Sequence, residues 1–426
     1  MLRIFSSLVI LVLTLELAVT TYSQKIPWTK LQSPVNSTLR SLSFVDSLTG
    51  WAAGEFGTII HTSNGGMNWE IQNSTIQTFI TDIHFSDNNY GWAVTLKDVF
   101  PFNTVLLKTT NGGENWFAED FQDSTAFMRT IFFLDSLNGF IGGSYIAYTS
   151  DGGLVWQRAE IDSNMVSGFP VYEFNFYNRQ FGYACGGRID IAGVIWRTTN
   201  SGLNWTAQGI SPDEIFDVYI IDSLNAVTLS GDPEGFFGIA NLRTSDAGMT
   251  WGFEELPFYG LSFSIDFRTY NEGWSASGYK FIFTSNRGET WGEVETPDSS
   301  IVYDLQFLDA RNGYAVGGNG SILKLNPDLV NIEDDGQPPV SMTLYQNYPN
   351  PFNPTTKIKY SVPGLTQVKL KIYDVLGNET ATLLNEEQGA GSYEAEFDAT
   401  SLPSGIYFYQ LQVGENVKTK KMVYLK

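Results

Sequence analysis

Phe44-Val45-Asp46-Ser47-Leu48-Thr49-Gly50-Trp51 is the first of seven copies of one phrase, and its recurrence decides the fold. The others are FSDNNYGW from Phe85, FLDSLNGF from Phe133, FYNRQFGY from Phe176, IIDSLNAV from Ile220, FRTYNEGW from Phe267 and FLDARNGY from Phe307. Successive copies begin 40 to 48 residues apart. Short apolar runs and Gly-bearing turns at such a period mark a β-propeller, in which each repeat is a small sheet that hides its faces against its neighbours.

A second phrase rides on the same period: SNGGMNW, TNGGENW, SDGGLVW, TNSGLNW, SDAGMTW and SNRGETW, ending at Trp69, Trp116, Trp156, Trp205, Trp251 and Trp291. Its chemistry is that of a tight turn. An Asx side chain accepts from the backbone just ahead, a Gly takes positive φ, and a Trp packs beneath the turn. The Asx position is Asn64, Asn111, Asp151, Asn200, Asp246 and Asn286, so four of six copies carry no charge with which to ligate a metal or move a proton. These residues are expected to be structural. The phrase resembles the Asp box of bacterial sialidase-type propellers.

The seventh copy has no such box. Trp28 stands sixteen residues before Phe44, the interval that also separates Trp69 from Phe85 and Trp291 from Phe307. The segment around Trp28 is therefore expected to supply the last strand of the seventh sheet, giving a seven-bladed β-propeller closed by an N-terminal strand over residues 24–327. Such closure removes an exposed sheet edge.

Residues 1–23 read as a secretory signal peptide: Arg3, an apolar run from Ile4 to Val19, then small and polar residues. Cys185 is the only cysteine, so no disulfide can form within the chain. Residues 328–340 form an acidic, Pro-containing linker, and residues 341–426 alternate apolar and polar residues as the strands of a small Ig-like β-sandwich. This last module resembles the type A C-terminal sorting domain of the type IX secretion system, through LYQNYPNPFNPTT from Leu344, YDVLGNE from Tyr373, LPSGIYFYQL from Leu402 and KTKKMVYLK from Lys418. The resemblance implies engagement of the type IX secretion machinery and passage through the periplasm. The cargo would end secreted or on the outer surface of a Gram-negative-type bacterium.

The repeats together resemble the photosystem II stability and assembly factor-like family, whose propellers are non-catalytic binders. Between Gln24 and Pro327 there are 16 basic and 33 acidic residues, a net charge of −17. That balance disfavours nucleic acid and favours cationic partners. The expectation is a non-enzymatic recognition or scaffold protein with a protein or glycan ligand at the cell surface, no cofactor and no membrane span. The alternative is an Asp-box glycoside hydrolase, since two carboxylates from distant repeats suffice for that chemistry. Against it, the nearest phrase to the sialidase Arg-Ile-Pro is Lys25-Ile26-Pro27. The only histidines, His61 and His84, occupy repeat columns with no nucleophile motif beside them.

Three connections between second and third strands are long: around Phe100, around Asp190 and around Phe236. Insertions gathered on one face of a repeat protein are the usual place for recognition. The candidate binding residues are Phe100, Phe102, Arg188, Asp190, Asp232, Glu234, Phe236 and Phe237.

Overall fold

The computed structural model describes residues 26–426 except 98–99, 101, 163–164, 328, 330–341, 345–346, 348, 363–365, 390 and 415. The expected signal peptide and residues 330–340 of the expected linker lie outside the described residues. The chain divides into two compact units, Met1–Val330 and Asn331–Lys426.

The first unit is all-β, with seven separate sheets among its described residues. Sheet I holds Leu39–Phe44, Gly50–Gly54, Ile59–Thr62 and Glu70–Gln72, paired antiparallel in that order. Sheets II to VI repeat the plan, beginning at Ile80–Phe85, Met128–Phe133, Val171–Phe176, Ile215–Ile220 and Ser264–Phe267. Sheet VII takes Val302–Phe307, Gly313–Gly317 and Ile322–Leu325 from the end of the unit and Trp28–Lys30 from its start, with Trp28 opposite Leu325. First strands touch in chain order, and the first strand of sheet I also touches that of sheet VII. Sheet IV has an extra member, Glu160–Ile161, laid parallel on its outer strand Asn204–Ser211.

The repeated phrase has a packing cause. A Cβ at Gly50 would lie 2.4 Å from the Phe44 ring, and the same conflict recurs at Gly91 with Phe85, Gly139 with Phe133 and Gly273 with Phe267. Each phenylalanine thus lies flat on the glycine of the neighbouring strand. Sheet V confirms the rule by breaking both halves at once: Ile220 replaces the ring, and its partner is Ala226.

Between the sheets the rings stack again. Phe85 lies 3.5 Å from Trp51, Phe133 3.5 Å from Trp92 and Phe44 3.9 Å from Tyr314, centroid to centroid, so each contact joins one sheet to the next.

The second unit has two sheets. Thr343–Leu344, Thr355–Val362 and Gly391–Asp398 form one, and Thr366–Tyr373, Glu379–Gln388, Gly405–Val413 and Asn416–Tyr424 the other. Ile358, Val368, Leu370, Tyr409, Leu411 and Met422 from both sheets meet in one core. The alternating burial along Gly405–Val413 is that of a sheet with one face covered.

Candidate functional site

In the turn phrases the Asx residues are consumed by local bonds. Oδ1 of Asn64 accepts from the Asn68 amide at 2.9 Å, that of Asn111 from Asn115 at 3.1 Å, and that of Asn200 from Asn204 at 3.0 Å. Asp151, Asp246 and Asn286 accept from Val155, Thr250 and Thr290 in the same way. The Thr250 hydroxyl and amide hold the Asp246 carboxyl down at about 2. Trp69, Trp116, Trp156 and Trp205 are buried, and Trp251 and Trp291 half-buried.

The eight candidate binding residues sit on three separate loops, and none lines the central cavity. Phe100, Phe102, Phe236 and Phe237 are exposed, with the first two rings edge to face at 6.4 Å. Arg188 lies over Phe169. Asp190, at φ 58°, donates its amide to the Asp213 carboxylate at 3.0 Å. Asp232 is buried; it accepts from the amides of Glu234, Phe236 and Phe237 at 2.6 to 2.9 Å, so its work is to fold a turn that holds two phenylalanines outward. Glu234 is exposed on that turn.

The seven first strands converge on a cavity of about 200 Å³. At its mouth, Arg40 lies 3.6 Å from the Tyr303 ring centroid and 5.5 Å from that of Phe79. Tyr303 meets Phe263 at 5.2 Å, Phe263 meets Phe216 and Phe216 meets Tyr172 at 5.5 Å, and Arg129 covers Tyr172 at 4.7 Å. Five aromatic rings and two guanidiniums therefore make a collar. The Arg40 Nε is buried without a hydrogen bond among the described residues. First strands end at the turns that accompany the Asp boxes, so the collar at their start lies on the face of the long loops.

Below the collar comes a layer of hydroxyls and carboxylates: Ser41, Asp82, Thr130, Glu173, Asp217, Ser264 and Asp304. Innermost strands leave edge amides without a ladder partner, and these must be paired. Asp82 accepts from the Ile131 amide and Asp217 from the Ile265 amide, both at 2.8 Å. Asp304 accepts from Leu42 at 2.8 Å, and one layer deeper Asp266 accepts from Phe307 at 2.6 Å. Each bond runs from one sheet to the next. Ser41 and Thr130 hydroxyls donate to Asp82 at 2.7 and 2.9 Å.

Burial pushes Asp266 and Asp304 up to about 7, with the charge of Asp304 adding to the first and that of Asp82 to the second. Burial raises Glu173 and Asp217 well above the usual carboxylate range, their carboxylate neighbours adding to it. Unfolded aspartates titrate near 3.9. Between about pH 4 and 7 the folded ring therefore holds more protons than the unfolded chain, and stability falls as pH rises. The thermal midpoint of the first unit should accordingly rise by several degrees from pH 8 to pH 5. Asp304→Asn should reduce that rise; midpoints that stay level or fall on acidification in calorimetry would contradict the assignment.

Neither histidine is placed as a base. His84 Nε2 donates to the Phe133 carbonyl at 2.9 Å, and His61 stacks on Trp51. Burial lowers both. Among the described residues no group of three His, Cys, Asp or Glu side chains could hold a metal ion.

Residues 346–425 match the family model of the secretion system C-terminal sorting domain. The second unit carries a sorting domain. It marks the chain for secretion or display at the cell surface. Residues 68–215 match the model of the photosynthesis system II assembly factor YCF48. A curated relative, photosystem II assembly protein Ycf48 of Thermosynechococcus vestitus, is 39% identical over 44 residues, which span 10% of this chain and 13% of the relative. A solved structure of YCF48 bound to D1 peptide superposes with a TM-score of 0.56 at 22% identity, covering 70% of this chain and 96% of that one. The xyloglucanase of Xanthomonas campestris superposes at 0.56 and 10% identity, covering 80% of this chain and 60% of its own. At such identities the likeness is one of propeller fold. Among the described residues no helix is long and apolar enough to cross a membrane.

The collar was missed in the sequence, although six of its seven members, all but Phe79, occupy one column. Four residues before the start of each phrase stand Arg40, Thr81, Arg129, Tyr172, Phe216, Phe263 and Tyr303. Aligning the copies upstream of the phrase would have shown it.

Proposed function

We propose that the first unit, residues 24–327, is a seven-bladed propeller completed by its N-terminal strand, and that it recognises a polypeptide segment across the collar without catalysing a reaction. Residues 1–23 direct export, residues 328–340 tether, and residues 341–426 pass the chain to the type IX machinery, leaving the propeller secreted or on the cell surface. The observation that carries the reading is the collar itself. Arg40 and Arg129 offer donors that match a carboxylate, and the aromatic faces between them offer apolar stacking. The exposed phenylalanines at 100, 102, 236 and 237 widen the same face. A propeller of the same fold, YCF48, has been solved holding a peptide. The central carboxylates cement neighbouring sheets, and so are spent on structure.

An array of peptides with free C-terminal carboxylates, titrated against the purified chain, tests this reading. Arg40→Ala and Arg129→Ala should each weaken the best binder about tenfold, the scale of a lost charge-assisted hydrogen bond. Soluble polysaccharides should release no reducing ends. Unchanged affinity in both variants would remove the collar from recognition, and released reducing ends would make the protein a hydrolase.

A further inference from the structure

On the Asp-box face the aromatic that ends the phrase joins three of the sheets to the next, and sheet V alone has no aromatic at that position. Trp51 Nε1 donates to the Gly112 carbonyl of the next sheet at 3.0 Å, Trp92 Nε1 to Gly152 at 3.1 Å, and the Tyr314 hydroxyl to Gly65 at 3.2 Å. A cation from the third strand makes a like bond, Arg197 Nε to the Ala247 carbonyl at 2.7 Å and Lys324 Nζ to that of Gly65 at 2.9 Å. In sheet V the aromatic is Val227, and the bond to Gly288 is made instead by Asn241 Nδ2 at 2.8 Å.

Three features stand beside this replacement. A cavity of about 690 Å³ lies between sheets V and VI, within the range of small-molecule sites. Asn241, 1% exposed, keeps its Oδ1 buried with no hydrogen bond among the described residues. Arg243, in the column of Arg197 and Lys324, lines the cavity half-buried, and its guanidinium has no hydrogen bond or ion pair among the described residues. A half-desolvated guanidinium and a bare amide oxygen each call for a partner.

Opposite them stands Arg287, at φ 60° in the box position that Gly65, Gly112, Gly152, Ser201 and Ala247 also hold at positive φ, with its guanidinium over Tyr270 and donating to the Tyr270 hydroxyl at 3.3 Å. Glu254 and the exposed face of Phe253 complete the wall. The corresponding groove between sheets I and II, about 590 Å³, has His61 in place of Arg243, and Trp51 and Gln72 both donate to Gly112.

We infer that the cavity between sheets V and VI binds an acidic saccharide unit. Its carboxylate pairs with Arg243 and Arg287, its hydroxyls bond Asn241 Oδ1 and Glu254, and its apolar ring face lies on Phe253. Donors, acceptors and one aromatic plate in a single polar cavity suit a polyhydroxylated ring. A lone anion would need neither the carboxylate nor the plate.

Calorimetric titration of the whole secreted chain with a trimeric hexuronate and the matching neutral trisaccharide tests this. The hexuronate should bind at least tenfold more tightly than the neutral trimer. Arg243→Met keeps the bulk and removes the charge; Asn241→Leu removes the bare amide oxygen. Both should lose hexuronate binding at least tenfold, and Arg243→Met should melt within a few degrees of the parent. Should Asn241→Leu fail to fold, Arg243→Met decides alone. No hexuronate binding by the parent, equal binding of both trimers, or full affinity in Arg243→Met would overturn the inference. Peptide binding at the collar, on the opposite face, should be unchanged in either variant.

Discussion

Trp28→Ala should lower the thermal midpoint of the first unit by about 10 °C while leaving the transition of the second unit in place. The indole is 2% exposed, stacks on Phe281 at 4.6 Å, and meets Trp274 edge to face and Phe307 at 5.8 Å. Emptying such a site costs about 3–5 kcal/mol, because lost transfer energy and an unfilled cavity add. At about 2–4 °C per kcal/mol for domains of 150–250 residues, the shift follows. Deleting Lys25 to Gln32 goes further. It removes the antiparallel pairing of Trp28–Lys30 with Ile322–Leu325, the Leu31 amide bond to Ile322 and the Asn326 amide bond to Pro27. It also bares a sheet edge to other chains. Differential scanning calorimetry of the secreted chain reads both variants, and a first-unit transition unmoved by the deletion would refute the strand's role.

Ending the chain at Pro339 should abolish surface delivery and leave the first unit folded in the periplasm. The match to the sorting-domain model lies wholly beyond that point, at residues 346–425. The two units have separate hydrophobic cores, that of the second drawn from its own two sheets. Loss of one core therefore leaves the other intact. Fractionation of a host carrying the type IX system, with surface labelling, measures the outcome. Surface signal from the truncated chain at the level of the full chain would show that export information lies elsewhere.

Most of the strand plan was legible because its cause is local. The Phe44 and Gly50 pair is a close approach that any copy must solve, and the solutions read as a phrase. The Asp boxes were legible for the same reason, being turns closed by their own Asx side chain. The collar was hidden by a register effect. The pairing of first and second strands shifts between Leu39 and Ser41, and likewise between Ile80 and Asp82 and between Val302 and Asp304. Such a bulge breaks the two-residue alternation, so Arg40 and Ser41 both line the central cavity. Simple period counting places one of them outside. The substitution in sheet V was equally hidden, because Asn-Ala-Val in Ile220 to Val227 reads as an imperfect copy until Gly288, far along the chain, shows that Asn241 makes the bond between the sheets instead.

The pairing of Trp28 with Leu325 also sets an order of events. Sheets I to VI pair strands that are close in sequence and can form as the chain emerges, whereas sheet VII waits for both ends of the unit. Bringing those ends together closes a loop of about 300 residues, an entropy cost of about 5 kcal/mol by the logarithmic loop law. The last step of folding is therefore a latch rather than an extension. Until it engages, the chain carries an unfinished sheet, so it ripens only after the whole unit has left the ribosome.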